Sequence, residues 1–325
     1  MQQSDYKTSV DLAAAVSKGD RPALAAALNL LDDQRASARS KAAELLVQLQ
    51  LNQEFPDKHL IGITGPPGAG KSTLCAALIS VWRKCGLRVG VLAVDPSSPI
   101  SGGALLGDRL RMQTSDEDDG VFVRSLSSRG QFGGLSAEVW PMSVVMLAGF
   151  DIVLIETVGV GQREADIARL CDTTCYVAQP GSGDSVQFLK AGILEVPHIL
   201  VVNKEDMGNV ARRTLAELKA ALNREHPDGD WEVPVLATSA TKHAGIETLA
   251  DVIHQHHNAL KAQQKLVSRR RRYQSYWIHK RLQEEFGSFG IEQLGGEQLL
   301  LTQLEENELD LLQHYESLRA RLNKV

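Results

Sequence analysis

A glycine-rich segment from Gly65 to Ser72 carries the strongest chemical signal in the sequence. It reads Gly-Pro-Pro-Gly-Ala-Gly-Lys-Ser, which matches the G-x-x-x-x-G-K-[ST] pattern of a phosphate-binding loop. Glycines let such a backbone wrap around a phosphate and turn its N–H groups inward. Lys71, expected on an exposed loop, would bring positive charge to the β- and γ-phosphates, and Ser72 a hydroxyl for Mg²⁺. The predicted nucleotide contacts here are Gly65, Pro66, Pro67, Gly68, Ala69, Gly70, Lys71, Ser72 and Thr73.

A second motif, Asn203-Lys204-Glu205-Asp206, has the N-K-x-D pattern and resembles the guanine-reading motif of GTPases. The Asp206 carboxylate could accept from both N1–H and the exocyclic amine of guanine. Adenine presents no such pair of donors, so it would leave the carboxylate unpaired at a cost in binding energy. Asn203 would brace the loop and contact N7, while the aliphatic part of Lys204 would cover the base. A backbone N–H in Ser239-Ala240-Thr241 would meet O6, and the nucleotide is therefore predicted to be GTP rather than ATP.

Two acidic residues, Asp95 and Glu156, each stand at the end of a predicted strand. Glu156 opens the segment Glu-Thr-Val-Gly, where most regulatory GTPases have an aspartate in a D-x-x-G motif. A glutamate can still hold the water shell of Mg²⁺, and Gly159 would let a backbone N–H approach the γ-phosphate. Either acid taken alone could be a helix cap or part of a surface turn. Their shared position at strand ends favours a metal site.

The elements that must position these residues are short apolar runs separated by helical stretches. The runs are continuously apolar, which is typical of strands covered on both faces. Strand–helix repetition predicts an α/β fold with a mostly parallel sheet and ligands beyond the carboxyl ends of the strands. The predicted strands are Leu60–Thr64, Val89–Val94, Val121–Ser125, Ile152–Ile155, Cys175–Ala178, Ile199–Val202 and Val233–Ala237.

Helical patterns flank this region, which predicts a helical extension over 1–58, a P-loop domain over 59–258 and a helical arm over 259–325. Asp20 before Arg21-Pro22 indicates a helix N-cap followed by proline in the first turn. An apolar stripe with near-heptad spacing follows in the last segment. It either packs on its own domain or pairs two copies of the chain, and both alternatives stay open. Its members are Leu300, Leu304, Leu311, Tyr315, Leu318 and Leu322.

The composition describes an ordinary globular chain of 325 residues, with 43% hydrophobic and 23% charged residues. A net charge of −5 gives no global basic field, so neither nucleic acid nor membrane is expected as a partner. No secretory signal is recognisable, and Asp151 and Glu156 interrupt the most apolar stretch. Four cysteines without a C-x-x-C pair suit a reducing compartment, which predicts a cytoplasmic protein.

Two further groups of residues could suggest a metal site or a nucleic-acid site, but neither group is predicted to have that function. His254, His256 and His257 are expected to form a solvated helix end, since the nearby sequence offers no cysteine or carboxylate partner for a metal site. The basic run Arg269–Arg272 is expected to be a solvated helix face or a partner contact rather than a nucleic-acid patch.

Several segments together resemble the MeaB/ArgK family, GTPase chaperones of cobalamin-dependent acyl-CoA mutases such as methylmalonyl-CoA mutase. These segments are Asp95-Pro-Ser-Ser, Gly102–Met112 and Glu156–Gln162. The resemblance implies that Asp108 joins Ser72, Asp95 and Glu156 as metal and active-site residues. It also implies a homodimer formed through the C-terminal arm, and a further switch segment that contacts the mutase through Asp184, Gln187 and Lys190.

The predicted reaction is hydrolysis of GTP to GDP and phosphate with Mg²⁺, by in-line attack of water. Gln162 is a candidate to orient that water. One alternative is a kinase or ATPase linked to arginine or ornithine transport, and another is a GTPase serving a different metallocofactor enzyme. A third is a binding module in which the nucleotide only stabilises the fold. The predicted catalytic residues are Lys71, Asp95, Asp108, Glu156 and Gly159.

Overall fold

The computed structural model describes residues 6, 8–33, 35–51, 55–95, 118–127, 138–157, 163–181, 197–222, 231–306 and 311–323. These residues divide into two compact units. The sheet unit lies within 57–136 and 150–264, and the helical unit lies within 1–56, 137–149 and 265–325. The predicted three-segment division remains a prediction.

The described residues of the sheet unit form seven strands, all paired in parallel, in the order β3-β2-β4-β1-β5-β6-β7. Every apolar run expected to be a strand overlaps one of them, so the predicted parallel α/β fold is confirmed. The strands are β1 (His59–Thr64), β2 (Val89–Asp95), β3 (Val121–Ser127), β4 (Ile152–Thr157), β5 (Thr173–Ala178), β6 (Ile199–Val202) and β7 (Val235–Ala237).

Helices connect and flank these strands. None of the described helices combines the length and apolar character needed to cross a membrane. A short 3-10 turn, Glu205–Met207, follows β6. The helices are α1 (Ser9–Ser17), α2 (Arg21–Asp32), α3 (Ala36–Leu51), α4 (Lys71–Lys84), α5 (Val139–Gly149), α6 (Arg163–Ala168), α7 (Asn209–Ala221), α8 (Ile246–Ala262), α9 (Lys265–Gln293), α10 (Glu297–Glu306) and α11 (Leu311–Leu322).

Burial on both faces explains why the strands are apolar without alternation. Every residue of β1, β4, β5 and β6 is buried. One core cluster joins strand side chains such as Ile61 to Leu78 of α4 and Ile253 of α8. Another joins Tyr176 of β5 to Leu218 of α7. Because all the strands run in one direction, their carboxyl ends meet at one edge of the sheet, where the motifs begin.

Helix α5 forms the buried centre of the helical unit. Each of its residues, from Val139 to Gly149, is buried, and it packs against α1, α2 and α3. A helix that is apolar on all sides must be covered on all sides, which explains its place among other helices. At the start of α2 the Asp20 carboxylate accepts from the Ala23 amide, so the predicted N-cap is confirmed.

The C-terminal apolar stripe is covered within the single chain. Five of its six members, Leu300, Leu304, Tyr315, Leu318 and Leu322, are buried, and α10 and α11 pack against α9. The side chain of Leu311, the sixth member, lies outside the described part of the chain. This observation favours packing on the chain's own helical unit. A dimer formed through other residues of the arm remains a prediction.

The basic run near the start of α9 also makes contacts inside this unit. Arg269 is buried and bonds the Tyr273 hydroxyl, and Arg270 donates to the Phe55 carbonyl oxygen at 2.9 Å.

Buried histidines cluster at the amino ends of the strands, the edge opposite the predicted phosphate site. The interpretation of a solvated helix end holds for His254, which is exposed, but is wrong for His256 and His257. The ring of His257 lies 4.3 Å from that of His59, and the ring of His256 lies 4.4 Å from that of His198. Apolar strands and α8 enclose these rings. The strands are distant in sequence from His256 and His257, so the residues next to these histidines do not indicate their burial.

Thr173 joins two of these rings through its hydroxyl. His59 Nε2 and His256 Nδ1 each lie 2.7 Å from Thr173 Oγ1. We expect Thr173→Val to lower the free energy of unfolding by about 2 kcal/mol, because two buried hydrogen bonds are lost in a residue of the same shape. Chemical denaturation measures this change.

The control for this prediction is His254→Gln, which alters an exposed histidine of the same helix as His256. It should change stability by no more than about 0.5 kcal/mol. Equal stability of Thr173→Val and the parent protein would show that the bridge contributes nothing.

Candidate nucleotide-binding site

The phosphate-binding loop lies between β1 and α4, at the carboxyl edge of the sheet. Two of its glycines are required by their surroundings. Gly65 has φ 140°, and a Cβ there would lie 2.2 Å from the Val177 carbonyl oxygen. Gly70 has φ 88°, and a Cβ there would lie 2.6 Å from Asn203 Nδ2. The strand–loop–helix setting needed for phosphate binding is therefore present.

Lys71 opens α4 and turns its ammonium into the loop. Its Nζ donates to the carbonyl oxygens of Gly65 at 2.9 Å and Pro66 at 3.0 Å. Only 6% of the residue is exposed, so the expectation of an exposed loop lysine is wrong. The loop folds over the side chain because its carbonyls accept from the ammonium. This arrangement places a positive charge inside the loop at the N-terminus of a helix, where a phosphate is favoured.

Ser72 and Glu156 form the polar pair of the predicted metal site. Ser72 Oγ donates to Glu156 Oε1 at 2.7 Å, and both residues are buried. Glu156 is the register partner of Ile63 on β1, which explains how residues 84 positions apart meet. A hydroxyl and a carboxylate are oxygen donors of the kind that Mg²⁺ prefers, so this pair fits the ion chemically.

Other predicted site residues are placed only in part. Asp95 ends β2, and the pairing of Val94 with Thr157 puts the backbone there at the same sheet edge as Glu156. Among the side chains that the structure describes, no group of three or more His, Cys, Asp or Glu could hold a metal ion. The side chain of Asp95 and the residues Asp108, Gly159, Gln162, Asp184, Gln187 and Lys190 lie outside the described part of the chain.

Asn203 joins the predicted base site to the phosphate-binding loop. Its Nδ2 donates to the Ala69 carbonyl oxygen at 2.9 Å. Its Oδ1 accepts from the Ala240 amide and from the Thr238 hydroxyl, each at 3.2 Å. One buried amide thus ties together the loops that follow β1, β6 and β7. Thr238 was missed by sequence reasoning, although a hydroxyl directly before the Ser-Ala-Thr loop is a signal that could have found it.

Asp206 lies at the surface beside the second base loop. Ser239 Oγ donates to its Oδ1 at 2.5 Å. This hydrogen bond is the main reason that the pKa of Asp206 is lowered, with smaller contributions from its own amide and from Lys242 and Lys204. Like an ordinary aspartate, Asp206 is ionised at neutral pH, and the lowered pKa further favours this state, which accepts from both guanine donors.

Lys204 and Thr241 complete the predicted base contacts. Lys204 takes a left-handed conformation with φ 62°, and its Nζ donates to the Gly68 carbonyl oxygen at 2.6 Å. Its aliphatic chain therefore extends from the base loop to the phosphate-binding loop. Thr241 is exposed, and its hydroxyl lies 3.5 Å from that of Ser239. The structure brings the two predicted halves of a nucleotide site together, and the role of each residue stays a prediction.

We expect Asn203→Ala to lower affinity for GTP and for GDP alike, each by about ten- to a hundredfold. The reason is that the amide positions both loops, and both loops are expected to bind parts of the nucleotide that GTP and GDP share. Titration with fluorescent nucleotide analogues measures both constants. Asn209→Ala is the control, because Asn209 is exposed and its side chain accepts from Arg212 of the same helix. Unchanged affinities in Asn203→Ala would contradict the bridging role.

Comparison with known protein families gives a match over most of the chain. A family model described as "Methylmalonyl Co-A mutase-associated GTPase MeaB" matches residues 24–290. A putative GTPase of Pyrococcus abyssi is 43% identical over 282 residues, which are 85% of this chain and 82% of that protein. The GTPase ArgK of Escherichia coli is 34% identical, over 82% of each chain.

Further similarity extends to a mouse protein and to a solved structure. "Methylmalonic aciduria type A homolog, mitochondrial" of Mus musculus is 35% identical over 82% of this chain and 67% of its own length. The crystal structure of a LAO/AO transport system kinase is similar with a TM-score of 0.72 and 25% identity. That similarity covers 99% of this chain and 100% of the other. It supports the P-loop fold with its flanking helices.

Proposed function

The chain belongs to the MeaB family of GTPases, and from this premise we propose that it hydrolyses GTP to gate cofactor loading and protection of a cobalamin-dependent acyl-CoA mutase. Methylmalonyl-CoA mutase is the first candidate, since the matched family is described as associated with that enzyme. The observation that carries the nucleotide assignment is the Asn203 bridge. It holds the N-K-E-D segment against the phosphate-binding loop, as a guanine nucleotide spanning both would require.

The proposed mechanism depends on positive charge that is already in place in the phosphate-binding loop before the nucleotide binds. Lys71, whose ammonium lies inside the phosphate-binding loop, and the first amides of α4 would supply positive charge to the phosphates, where negative charge develops in the transition state. Ser72 and Glu156, with Asp95 and Asp108 by family resemblance, would hold Mg²⁺. When bound, Mg²⁺ supplies charge neutralisation at the β- and γ-phosphate oxygens. Gly159 would sense the γ-phosphate, and Gln162 would orient the attacking water.

The partner assignment is supported by the names of relatives rather than by geometry. The family description names a mutase, and the mouse relative's name refers to methylmalonic aciduria. We also propose that the chain acts as a homodimer in the cytoplasm. Support for the compartment comes from free cysteines, of which Cys85 is exposed and Cys75, Cys171 and Cys175 are buried.

A second candidate function is that of a transport-linked kinase, since the protein in the similar crystal structure is called a transport system kinase. The base site argues against it. Asp206 is held ionised beside Ser239, and a carboxylate there pairs with guanine donors but leaves adenine without a partner.

The deciding experiment measures phosphate release from GTP and from ATP, with Mg²⁺, with and without a purified methylmalonyl-CoA mutase. We expect turnover of GTP that exceeds turnover of ATP and that changes when the mutase is added. ATP turnover equal to that of GTP would overturn the guanine assignment. GTP turnover indifferent to several cobalamin-dependent mutases would overturn the chaperone role.

We expect that replacing Asp184 and Lys190 together by alanine spares basal GTP hydrolysis and lowers stimulation by the mutase about tenfold. The reason is that charged residues of a switch suit a transient polar contact with a partner. The same assay, run with parent and variant, measures the effect. A matched control replaces Glu217 and Lys219 of α7 by alanine, and it should leave stimulation unchanged. Equal stimulation of parent and switch variant would remove these residues from the coupling.

A further inference from the structure

Two threonine hydroxyls meet at the carboxyl edge of the sheet, beside the candidate site, and neither threonine is among the residues predicted to contact the nucleotide or the metal. Thr157 Oγ1 donates to Thr64 Oγ1 at 3.1 Å. Thr64 is 1% exposed and Thr157 is 0% exposed. Thr64 is the last residue of β1, directly before Gly65 of the phosphate-binding loop, and Thr157 directly follows Glu156 at the end of β4.

This hydrogen bond and the one between Ser72 and Glu156, the predicted metal-binding residues, lie on opposite faces of the sheet at the end of β4. Successive residues of a strand point to opposite faces of the sheet, so Glu156 and Thr157 diverge. On one face Glu156 accepts from Ser72, the second residue of α4. On the other face Thr157 bonds Thr64, one position beyond the register pair of Ile63 and Glu156. The end of β4 is therefore tied to both sides of the phosphate-binding loop.

We propose that Thr157 is a positioning residue for GTP hydrolysis. By bonding Thr64, its hydroxyl fixes the end of β4 against the end of β1, where the phosphate-binding loop begins. Ser72 and Thr64 lie on either side of Lys71 and the loop along the chain. A shift of the β4 end would thus move Glu156 relative to the phosphates. This inference rests on the proposed GTP hydrolysis.

The contacts predict a specific kinetic consequence. GDP would be bound by the phosphate-binding loop and the base loops, whose described contacts through Lys71 and Asn203 do not involve β4. Hydrolysis depends also on the position of Glu156, which lies at the end of β4 and accepts from Ser72. A misplacement of about 1 Å lowers the rate of a reaction by as much as about a hundredfold. Loss of the Thr157 hydroxyl should therefore act on turnover more than on binding.

The test uses the full chain with Thr157→Val, which keeps the shape of the side chain and removes the donor. We expect kcat for GTP to fall about tenfold or more, while GDP affinity stays within about twofold of the parent value. Thr157→Ser retains the hydroxyl and should restore kcat to within about threefold of the parent. Thr64→Val should resemble Thr157→Val, and the double variant should be no slower than either single variant, because one shared bond is lost in all three.

Three outcomes would overturn the proposal. Parent-like kcat in Thr157→Val would show that the hydroxyl does not position the site. Parallel losses of kcat, GDP affinity and melting temperature, or failure of both valine variants to fold, would show a purely structural role. Multiplied losses in the double variant would show that the two hydroxyls act separately. GTP turnover of the parent protein is measured first. Absence of turnover there would contradict the proposed function, whereas the variants test only the role of Thr157.

Discussion

Lys71→Ala is expected to lower GTP affinity by about 100- to 1,000-fold. Its ammonium lies inside the phosphate-binding loop, within reach of the Gly65 and Pro66 carbonyl oxygens at 2.9 and 3.0 Å. A bound triphosphate would receive charge-assisted hydrogen bonds from it, each worth roughly 1.5–3 kcal/mol. The expected loss of affinity corresponds to about 2.7–4.1 kcal/mol, near the low end of the roughly 3–6 kcal/mol that two such bonds would supply. Isothermal titration with GTP and GDP measures the change.

The burial of Lys71 means that this variant must be checked for folding. Lys84→Ala is a matched control, since it removes an exposed lysine at the other end of the same helix. Both variants should retain the parent's circular dichroism spectrum, and Lys84→Ala should bind GTP as the parent does. A folded Lys71→Ala protein with parent-like affinity and turnover would refute the phosphate-site assignment.

Asp206→Asn is expected to shift the base preference from guanine toward xanthine. The parent carboxylate is held by Ser239 and ionised, which suits the two donors of guanine. The amide of asparagine can donate to O2 of xanthine. This hydrogen bond replaces the one that the carboxylate accepts from the exocyclic amine of guanine. We expect the ratio of GTP to XTP affinity to fall by about a hundredfold or more. Competition between GTP and XTP for a fluorescent GDP analogue measures that ratio.

Glu205→Gln provides the control for this base switch. It removes the same charge from an exposed neighbour in the same 3-10 turn, so any effect of net charge on nucleotide binding appears in both variants. The GTP to XTP ratio of Glu205→Gln should equal that of the parent. If Asp206→Asn also keeps the parent ratio, another residue reads the base.

The sequence alone determined the local features of this protein. Continuous apolar runs such as Ile199–Val202 predicted buried parallel strands, because a strand covered on both faces has no polar side. The segment Gly65–Ser72 predicted a phosphate-binding loop, because glycines and a lysine at that spacing suit few other backbones. The Asp20 cap was predicted in the same way, from a residue whose partner lies three positions along the chain.

The tertiary structure decided which distant residues meet. Apolar runs show that strands are buried, but they do not reveal that β1 lies between β4 and β5. That order brings Glu156 to Ser72 and lets Asn203 reach Ala69, 134 positions away. It also encloses His256, whose sequence neighbourhood resembles a solvated helix end. The physical reason is that a hydrogen bond or a buried ring depends on the elements packed around it, and strand order, which places those elements, leaves no local pattern in the chain.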